Sequence, residues 1–170
     1  MNFQPTDEQT LIRDTVAAFA AEQIRPAAHE ADESEIIPST LIQQAWELGL
    51  VQSTIPEAFS GIGEPPSAIT SALISEELGW GDLSIALYVL SPQLILQPVI
   101  ALGTEEQKQQ VLPAYTGAQF VAGTAALLEP RFGFDIQELA TTATAQNEHT
   151  FLNGTKCFVP LATDAAQLLV

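Results

Sequence analysis

Two histidines and one cysteine are the residues with which this sequence could bind a metal or attack a substrate. His29 precedes Asp32 and Glu33 at helical spacing, but one histidine with carboxylates is a weaker metal pattern than a solvated acidic surface. His149 lies beside a predicted turn, which is a typical exposed setting. Cys157 is interpreted as a buried structural thiol rather than a nucleophile. These residues predict neither a metal site nor a Ser-His-Asp arrangement.

Gly61 and Gly63 do not make a dinucleotide-binding loop. No strand precedes them, and Pro65 and Pro66 follow where a third glycine and a helix start are needed. We therefore interpret this segment as a turn-rich connector. Gly133, taken alone, predicts only a tight turn between strands.

The composition excludes several classes of protein. Of 170 residues, 46% are hydrophobic and 15% are charged, which excludes an intrinsically disordered chain. Five Lys and Arg against 21 Asp and Glu give a formal charge of -16, so nucleic acid and anionic membranes are poor partners. A single cysteine excludes an intrachain disulfide. The opening MNFQPTDEQT has no basic region followed by an apolar one, so we expect a cytoplasmic protein.

The longest uncharged stretch, Leu83 to Thr104, is long enough to raise the question of a membrane span. Pro92 and Pro98 interrupt it, and no basic residue flanks it. A helical segment buried inside an all-helical domain fits these features better than a span does. We therefore expect no membrane partner.

Helix signals fill the chain up to about residue 116. Thr6 with Gln9 three residues later makes a capping box, and Pro26 is predicted to kink or end the first helix near Arg25. A second helix is predicted from about Ser39 to Gly49, and a third from Ser67 to Leu78. Thr104 is predicted to cap a short amphipathic helix.

Strand signals replace the helix signals from about Gly117. The predicted strands are Phe120–Leu127, Thr141–Gln146, Thr150–Leu152 and Lys156–Pro160, with the beginning of another at Leu168–Val170. The Asn153-Gly154 pair is a strong signal for a two-residue hairpin turn. The residues thus predict an α+β chain in which a helical domain precedes an unfinished β segment.

The order of short strings along the chain resembles a known family. After an opening helix from Phe3 to Asp32, the strings are Pro38, Leu48-Gly49-Leu50, Pro56-Glu57 with Gly61 and Gly63, Glu76-Glu77-Leu78, Gly103-Thr104-Glu105-Glu106-Gln107-Lys108 with Leu112-Pro113, Glu129-Pro130 with Gly133 and Asp135, and Asn153-Gly154-x-Lys156. Together they resemble the acyl-CoA dehydrogenase family over essentially the whole chain. The Gly-Thr-Glu-Glu-Gln-Lys string is fairly specific.

This resemblance implies a fold. Residues 1–116 are expected to form the α-helical N-terminal domain of that family, and residues 117–170 the beginning of its central, antiparallel β-barrel domain. Family members continue through the rest of the barrel into a C-terminal helical bundle. Because the β segment is then incomplete, we expect a homo-oligomer or a complementing chain to cover its edges.

The resemblance also implies a chemistry, the FAD-dependent α,β-dehydrogenation of acyl-CoA thioesters in fatty acid metabolism. In the family a carboxylate base removes a proton beside the thioester carbonyl, and that base lies beyond the position of Val170. No catalytic residue is therefore assigned here, and we expect this chain alone to be inactive. The formal charge of -16 also disfavours an anionic CoA ester unless a partner supplies positive charge.

The family's flavin-contacting motifs carry over to residues that this chain has partly changed. The cofactor-binding residues implied by the resemblance are Leu127, Leu128, Glu129, Gly133, Phe134, Phe158 and Pro160. Leu128 and Pro160 each stand where the family has a threonine, and Phe134 stands where it has a serine. Proline offers neither a hydroxyl nor an N–H. The alternative reading is therefore a degenerate family member that binds no flavin and serves as a partner or scaffold subunit.

Overall fold

The computed structural model describes residues 4–170, so Phe3, where the predicted opening helix begins, lies outside the described residues. Helices occupy the chain as far as Tyr115. They are α1 (Asp7–Phe19), α2 (Arg25–Ser34), α3 (Ser39–Glu47), α4 (Ala68–Gly81), α5 (Leu83–Leu90), α6 (Gln93–Leu102) and α7 (Glu105–Val111), with a π-helical turn at Ala20–Ile24 and 3₁₀ turns at Glu57–Phe59 and Leu112–Tyr115.

The helix starts follow the local signals. The Thr6 hydroxyl accepts the N–H of Gln9 at 3.2 Å, and the Gln9 side-chain oxygen accepts the N–H of Thr6 at 3.0 Å. Thr104 and Gln107 repeat this capping box at the start of α7, so both predicted caps are confirmed. The predicted kink near Arg25 is seen as the π-helical turn, after which Pro26 lies in the first turn of α2, where no N–H is required.

The apolar stretch from Leu83 to Leu102 has the length and composition of a membrane span. In the structure it consists of α5 and α6, separated by a turn at Ser91–Pro92. One face of the pair is buried against the other helices, through Ile85, Ala86, Val89, Ile95, Leu96 and Val99. This burial agrees with the expected interior helical segment.

Two apolar clusters form the core. The first joins α1, α3, α4 and α5, and it includes Val16, Leu41 and Leu78. The second joins α6 to the end of α3, to the loop after α3 and to the 3₁₀ turn Leu112–Tyr115, through residues such as Ile55 and Leu96. Partly buried side chains, Phe120 among them, pack on both clusters. The interior is therefore continuous from α1 to the first residues of the strand segment.

The strands form two small sheets within the described residues. β2 (Thr142–Gln146) and β3 (His149–Asn153) are an antiparallel hairpin, and β1 (Gly123–Ala125) pairs in parallel with β4 (Gln167–Leu169). The predicted α+β class, helices followed by strands, is confirmed. The division at residues 116 and 117 lies between the last 3₁₀ turn and β1, and it stays a prediction.

Two details of the strand prediction were wrong. The hairpin turns at Asn147-Glu148 instead of Asn153-Gly154, because Asn147 takes a left-handed φ of 55° while Asn153 pairs with Thr142 as the last residue of β3. The segment Lys156–Pro160 is not a strand. Phe158 has a φ of 50°, and this left-handed conformation interrupts the extended chain.

Candidate functional site

A buried carboxylate organises the segments that carry the predicted cofactor-binding residues. Glu129 is 5% exposed and is the only charged residue among the buried residues of the described chain. Its carboxylate accepts the N–H of Ala140 at 2.7 Å, and from Thr141 it accepts the N–H at 2.8 Å and the hydroxyl at 2.7 Å. The Lys156 ammonium lies 3.1 Å from the same carboxylate. We call Glu129, Ala140, Thr141 and Lys156 the Glu129 cluster.

These donors hold Glu129 in its ionised form. The N–H of Ala140 has the largest effect, followed by the Thr141 hydroxyl and N–H and then by Lys156, and together they lower the pKa of Glu129 to about 2. The guanidinium of Arg131 adds a longer contact, 3.8 Å from the other carboxylate oxygen. A buried carboxylate surrounded by donors in this way stays charged at neutral pH and fixes the segments that supply the donors.

The Glu129 cluster brings the two predicted flavin-binding motifs together. The Lys156 ammonium also donates to the carbonyl of Leu127 at 3.3 Å. The N–H of Cys157 donates to the carbonyl of Leu128 at 2.9 Å. The residues predicted around Leu127–Glu129 and around Phe158 thus lie on adjacent segments, although 27 residues separate Glu129 from Lys156.

The surface at this junction is apolar and carries free main-chain donors. Leu127 and Leu128 are each more than two-fifths exposed, and Phe158 is 88% exposed. The N–H groups of Leu128 and Glu129 donate no hydrogen bond within the described residues. An exposed apolar surface beside unpaired N–H groups is suited to a flat ring with acceptor atoms at its edge.

The remaining predicted site residues, Gly133, Phe134 and Pro160, are not members of the Glu129 cluster. Gly133 has a φ of 67° in an exposed loop, which agrees with the predicted tight turn. The Phe134 ring lies below the guanidinium of Arg131, whose carbon is 5.9 Å from the ring centre. Arg131 also donates to the carbonyls of Asp135 and Glu138, so it organises its own loop. Pro160 lies in a turn after Phe158, and within the described residues Pro160 itself makes no hydrogen bond to Leu128.

The chain's five cations all have partners within the chain. Arg13 pairs with Asp14 at 2.6 Å and Lys108 with Glu105 at 3.1 Å, while Arg25 donates to the carbonyl of Trp80 at 3.2 Å. The other two, Arg131 and Lys156, lie at Glu129. A phosphorylated ligand would therefore compete with these partners for any positive charge in this chain.

A groove of about 720 Å³ opens beside Leu127. It lies between α6, α7 and β4, and most of its walls are apolar. The apolar side chains that line it include Ile95, Val99, Leu102, Leu127, Leu139 and Leu168. This groove reaches one of the predicted site residues, Leu127.

The partners of Glu129 are the part of this site that the sequence analysis missed. Lys156 was placed in a motif, but its pairing with Glu129 was not predicted, and Ala140 and Thr141 were not singled out. These residues are 11 to 27 positions from Glu129 in the sequence, and no helix or strand contains both Glu129 and any of them. A spacing pattern carries no signal for such contacts. The local signal in the sequence was a glutamate between two leucines and a proline.

Comparison with known proteins identifies relatives of this chain. Residues 6–118 match the family described as acyl-CoA dehydrogenase, N-terminal domain. The chain is 34% identical over 172 residues to the Bacillus subtilis protein named Probable acyl-CoA dehydrogenase YngJ, covering 100% of this chain and 44% of that protein.

Solved structures agree with the sequence match. Butyryl-CoA dehydrogenase from Megasphaera elsdenii superposes with a TM-score of 0.81 at 27% identity, over 97% of this chain and 44% of that one. A glutaryl-CoA dehydrogenase from Mycobacterium smegmatis in complex with FADH2 superposes with a TM-score of 0.79 at 26% identity, over 95% and 41%. The chain thus spans less than half the length of the relatives it matches.

Proposed function

The chain belongs to the acyl-CoA dehydrogenase family, and from that membership we propose that it is the N-terminal part of a flavin-dependent oxidoreductase that dehydrogenates acyl-CoA thioesters. Residues 1–116 form its helical domain and residues 117–170 the beginning of its central β domain in this proposal. The Glu129 cluster is the observation that carries it, because the cluster joins both implied flavin-binding segments at one surface. The relative solved with FADH2 supports FAD as the cofactor.

The residues at this surface fit a flavin through the main chain but only in part through side chains. The unpaired N–H of the exposed residue Leu128 is available to a ring acceptor, and Leu127 and Phe158 offer apolar contact. Leu128 and Pro160 supply no hydroxyl, and each missing hydrogen bond weakens binding by about 0.5–1.5 kcal/mol. The proposed site therefore depends mainly on main-chain donors.

In the proposed reaction, the residues of this chain serve to bind the cofactor. FAD, when bound, supplies the hydride acceptor of the family's chemistry. The residues of this chain bind and orient the ring, and the apolar side chains of Leu127, Leu128 and Phe158 exclude water from one side of it. No residue here is assigned as the base, so we propose that the base comes from the remainder of the enzyme. The same holds for positive charge toward the CoA phosphates, since the five cations are paired.

The substrate side of the proposal rests on the groove beside Leu127. Its apolar walls and volume of about 720 Å³ suit an acyl chain better than a phosphorylated headgroup. We propose a cytoplasmic location. We also propose assembly with identical or complementing chains, because an interface would bury the exposed apolar side chains of the strand segment.

A second candidate function is a non-flavin partner or scaffold subunit of the same family. Leu128, Phe134 and Pro160 replace three polar contacts expected at a flavin site, and the two cations beside these segments, Arg131 and Lys156, already lie at Glu129. Three missing hydrogen bonds together weaken FAD binding by about one to three powers of ten. The two candidates therefore differ in whether the purified protein holds FAD.

FAD titration of the purified protein and of the Leu128→Thr/Pro160→Thr double variant separates these candidates. Two restored hydrogen bonds of about 1 kcal/mol each are expected to tighten FAD binding roughly tenfold to a hundredfold. Leu11→Thr, at a 69% exposed position in α1, is the matched control and should bind like the wild type. Absence of flavin absorbance and of FAD binding in every variant favours the partner subunit. Equal FAD affinity in wild type and double variant means that these positions do not face a flavin.

Activity gives a separate test. We expect no dye-coupled turnover of acyl-CoA esters by this chain alone, because a general base must lie within hydrogen-bond reach of the proton it removes. Turnover by the pure chain contradicts this expectation.

A further inference from the structure

The main chain at Leu127–Glu129 is not held by a helix or a strand. β1 ends at Ala125, and the last hydrogen bond that continues its pairing runs from the N–H of Ala126 to the carbonyl of Leu169 at 2.7 Å. From there to β2 the chain has no regular secondary structure. Some other contact must therefore set the direction of the N–H groups on which the proposed flavin site depends.

Lys156 makes that contact from the opposite segment. Its ammonium bridges the Glu129 carboxylate at 3.1 Å and the Leu127 carbonyl at 3.3 Å, and its side chain is only 11% exposed. The next residue, Cys157, donates to the Leu128 carbonyl. Two successive carbonyls thus face Lys156 and Cys157, and fixing these carbonyls fixes the peptide planes that carry the following N–H groups.

We propose that Lys156, acting through Glu129, is a positioning residue of the flavin site: it holds the peptide group between Leu127 and Leu128 so that the N–H of Leu128 stays free at the apolar surface. This inference rests on the proposed function. It is specific to this chain because Leu128 and Pro160 leave the main chain as the principal source of donors.

The cluster allows positioning to be separated from folding. Without the Lys156 ammonium, Glu129 keeps its hydrogen bonds from Ala140 and Thr141, so the loop that carries them stays attached. The Leu127 carbonyl loses its only side-chain donor among the described residues. Lys156→Met therefore frees the peptide group between Leu127 and Leu128 while leaving the helical core untouched.

The experiment compares wild type, Lys156→Met and Lys156→Arg, with Lys108→Met as the matched control. Lys108 pairs with Glu105 at the same distance of 3.1 Å, but in α7 and with a carboxylate that is 76% exposed. FAD affinity is measured by flavin fluorescence, and hydrogen exchange of the Cys157 amide is measured by NMR without FAD. Lys156→Met is expected to bind FAD about tenfold or more weakly and to exchange the Cys157 amide about tenfold faster. Lys108→Met is expected to stay near the wild type in both measurements. Lys156→Arg keeps a charged donor beside Glu129, so it is expected to lose less FAD affinity and less protection of the Cys157 amide than Lys156→Met.

The outcomes distinguish this inference from the proposed function. Equal FAD affinity in wild type and Lys156→Met overturns the positioning role alone. Absence of FAD binding in the wild type overturns the flavin proposal, and the inference falls with it. If Lys156→Met does not fold, Glu129→Gln takes its place, since its amide presents an N–H₂ to donors that need an acceptor. Unchanged FAD affinity in a folded Glu129→Gln variant likewise overturns the inference.

Discussion

The helical region, residues 7–115, and the strand region, residues 123–169, are stabilised in different ways. In the helical region apolar side chains fill two buried clusters. In the strand region every residue of β2 and β3 is exposed, and the best-connected buried side chain is the ionised carboxylate of Glu129. Apolar burial is non-directional, whereas a charged cluster depends on particular donors. The two regions should therefore respond to different perturbations.

Truncating a core leucine is the strongest test of this contrast. Leu96 is fully buried in the second cluster, and Leu96→Ala is expected to lower the free energy of unfolding by about 2–5 kcal/mol. Leu102→Ala, in the same helix but 85% exposed, should change it by less than about 0.5 kcal/mol. Urea unfolding followed by circular dichroism gives both values. Similar losses in the two variants contradict the description of α6 as a core helix.

The contact between the two regions can be tested at Gly123. A Cβ there collides with the Tyr115 hydroxyl and also lies 2.9 Å from Ile95, so Gly123→Ala is expected to cost about 1–3 kcal/mol of stability. Gly117→Ala is the control, because nothing lies within 4 Å of its added Cβ. Thermal unfolding of both variants measures the difference.

Tyr115 explains why the collision at Gly123 can be relieved. The buried Tyr115 hydroxyl has no partner in the described residues, and burial raises its pKa to about 12. Tyr115→Phe is therefore expected to cause no loss of stability and to restore part of the loss in Gly123→Ala. A clear loss in Tyr115→Phe means that the hydroxyl has a partner in solution.

A helix cap gives a smaller effect, limited to the helical region. Thr104→Ala removes the hydroxyl that accepts the N–H of Gln107 at 3.2 Å, and it is expected to cost about 0.5–2 kcal/mol. Thr104→Ser keeps an acceptor and should stay near the wild type. The melting temperature of the helical signal distinguishes them, and equal melting of all three proteins rules out a stabilising cap at α7.

Acid is expected to produce the smallest and most local change. The pKa of Glu129 is lowered to about 2 in the folded protein, from an ordinary value of 4.5, so the folded state favours the ionised form. The stabilisation from this carboxylate is complete above pH 4.5 and is lost as the pH falls through about 2. The protection of the Thr141 and Cys157 amides from hydrogen exchange, measured relative to the intrinsic exchange rate at each pH, should therefore fall over this range.

The matching control for the acid experiment is Glu129→Gln. This variant has no titrating group at the centre of the cluster, so its Thr141 and Cys157 amides should lack that acid-dependent step. An identical pH dependence in wild type and variant contradicts the assignment to Glu129.

Prediction from sequence succeeded where the signal is local. Thr6 with Gln9 and Thr104 with Gln107 place the donor and acceptor of each cap within three residues, so the helix starts could be read directly. The interior position of α5 and α6 followed from the apolar stretch and its prolines. The family strings likewise depend on order along the chain, and the matching family model confirms that resemblance.

Prediction failed where two local signals competed. Asn153-Gly154 is the stronger hairpin signal by residue type, yet the turn forms at Asn147-Glu148. The choice depends on Gly154 packing against Thr141, where a Cβ would collide with the threonine side chain, and on the register that pairs Thr142 with Asn153. Neither contact is visible in a window of a few residues.

The sequence by itself determined the helical region, the α+β order and the family, because caps, apolar periodicity and ordered strings act over short distances in the chain. Only the tertiary structure decided how the implied site is assembled. Glu129 contacts Thr141 and Lys156, which are 12 and 27 residues away in the chain. The left-handed φ of Phe158 interrupts a segment whose composition predicts a strand. A buried charge selects its partners by three-dimensional geometry, and no spacing rule in the sequence encodes that choice.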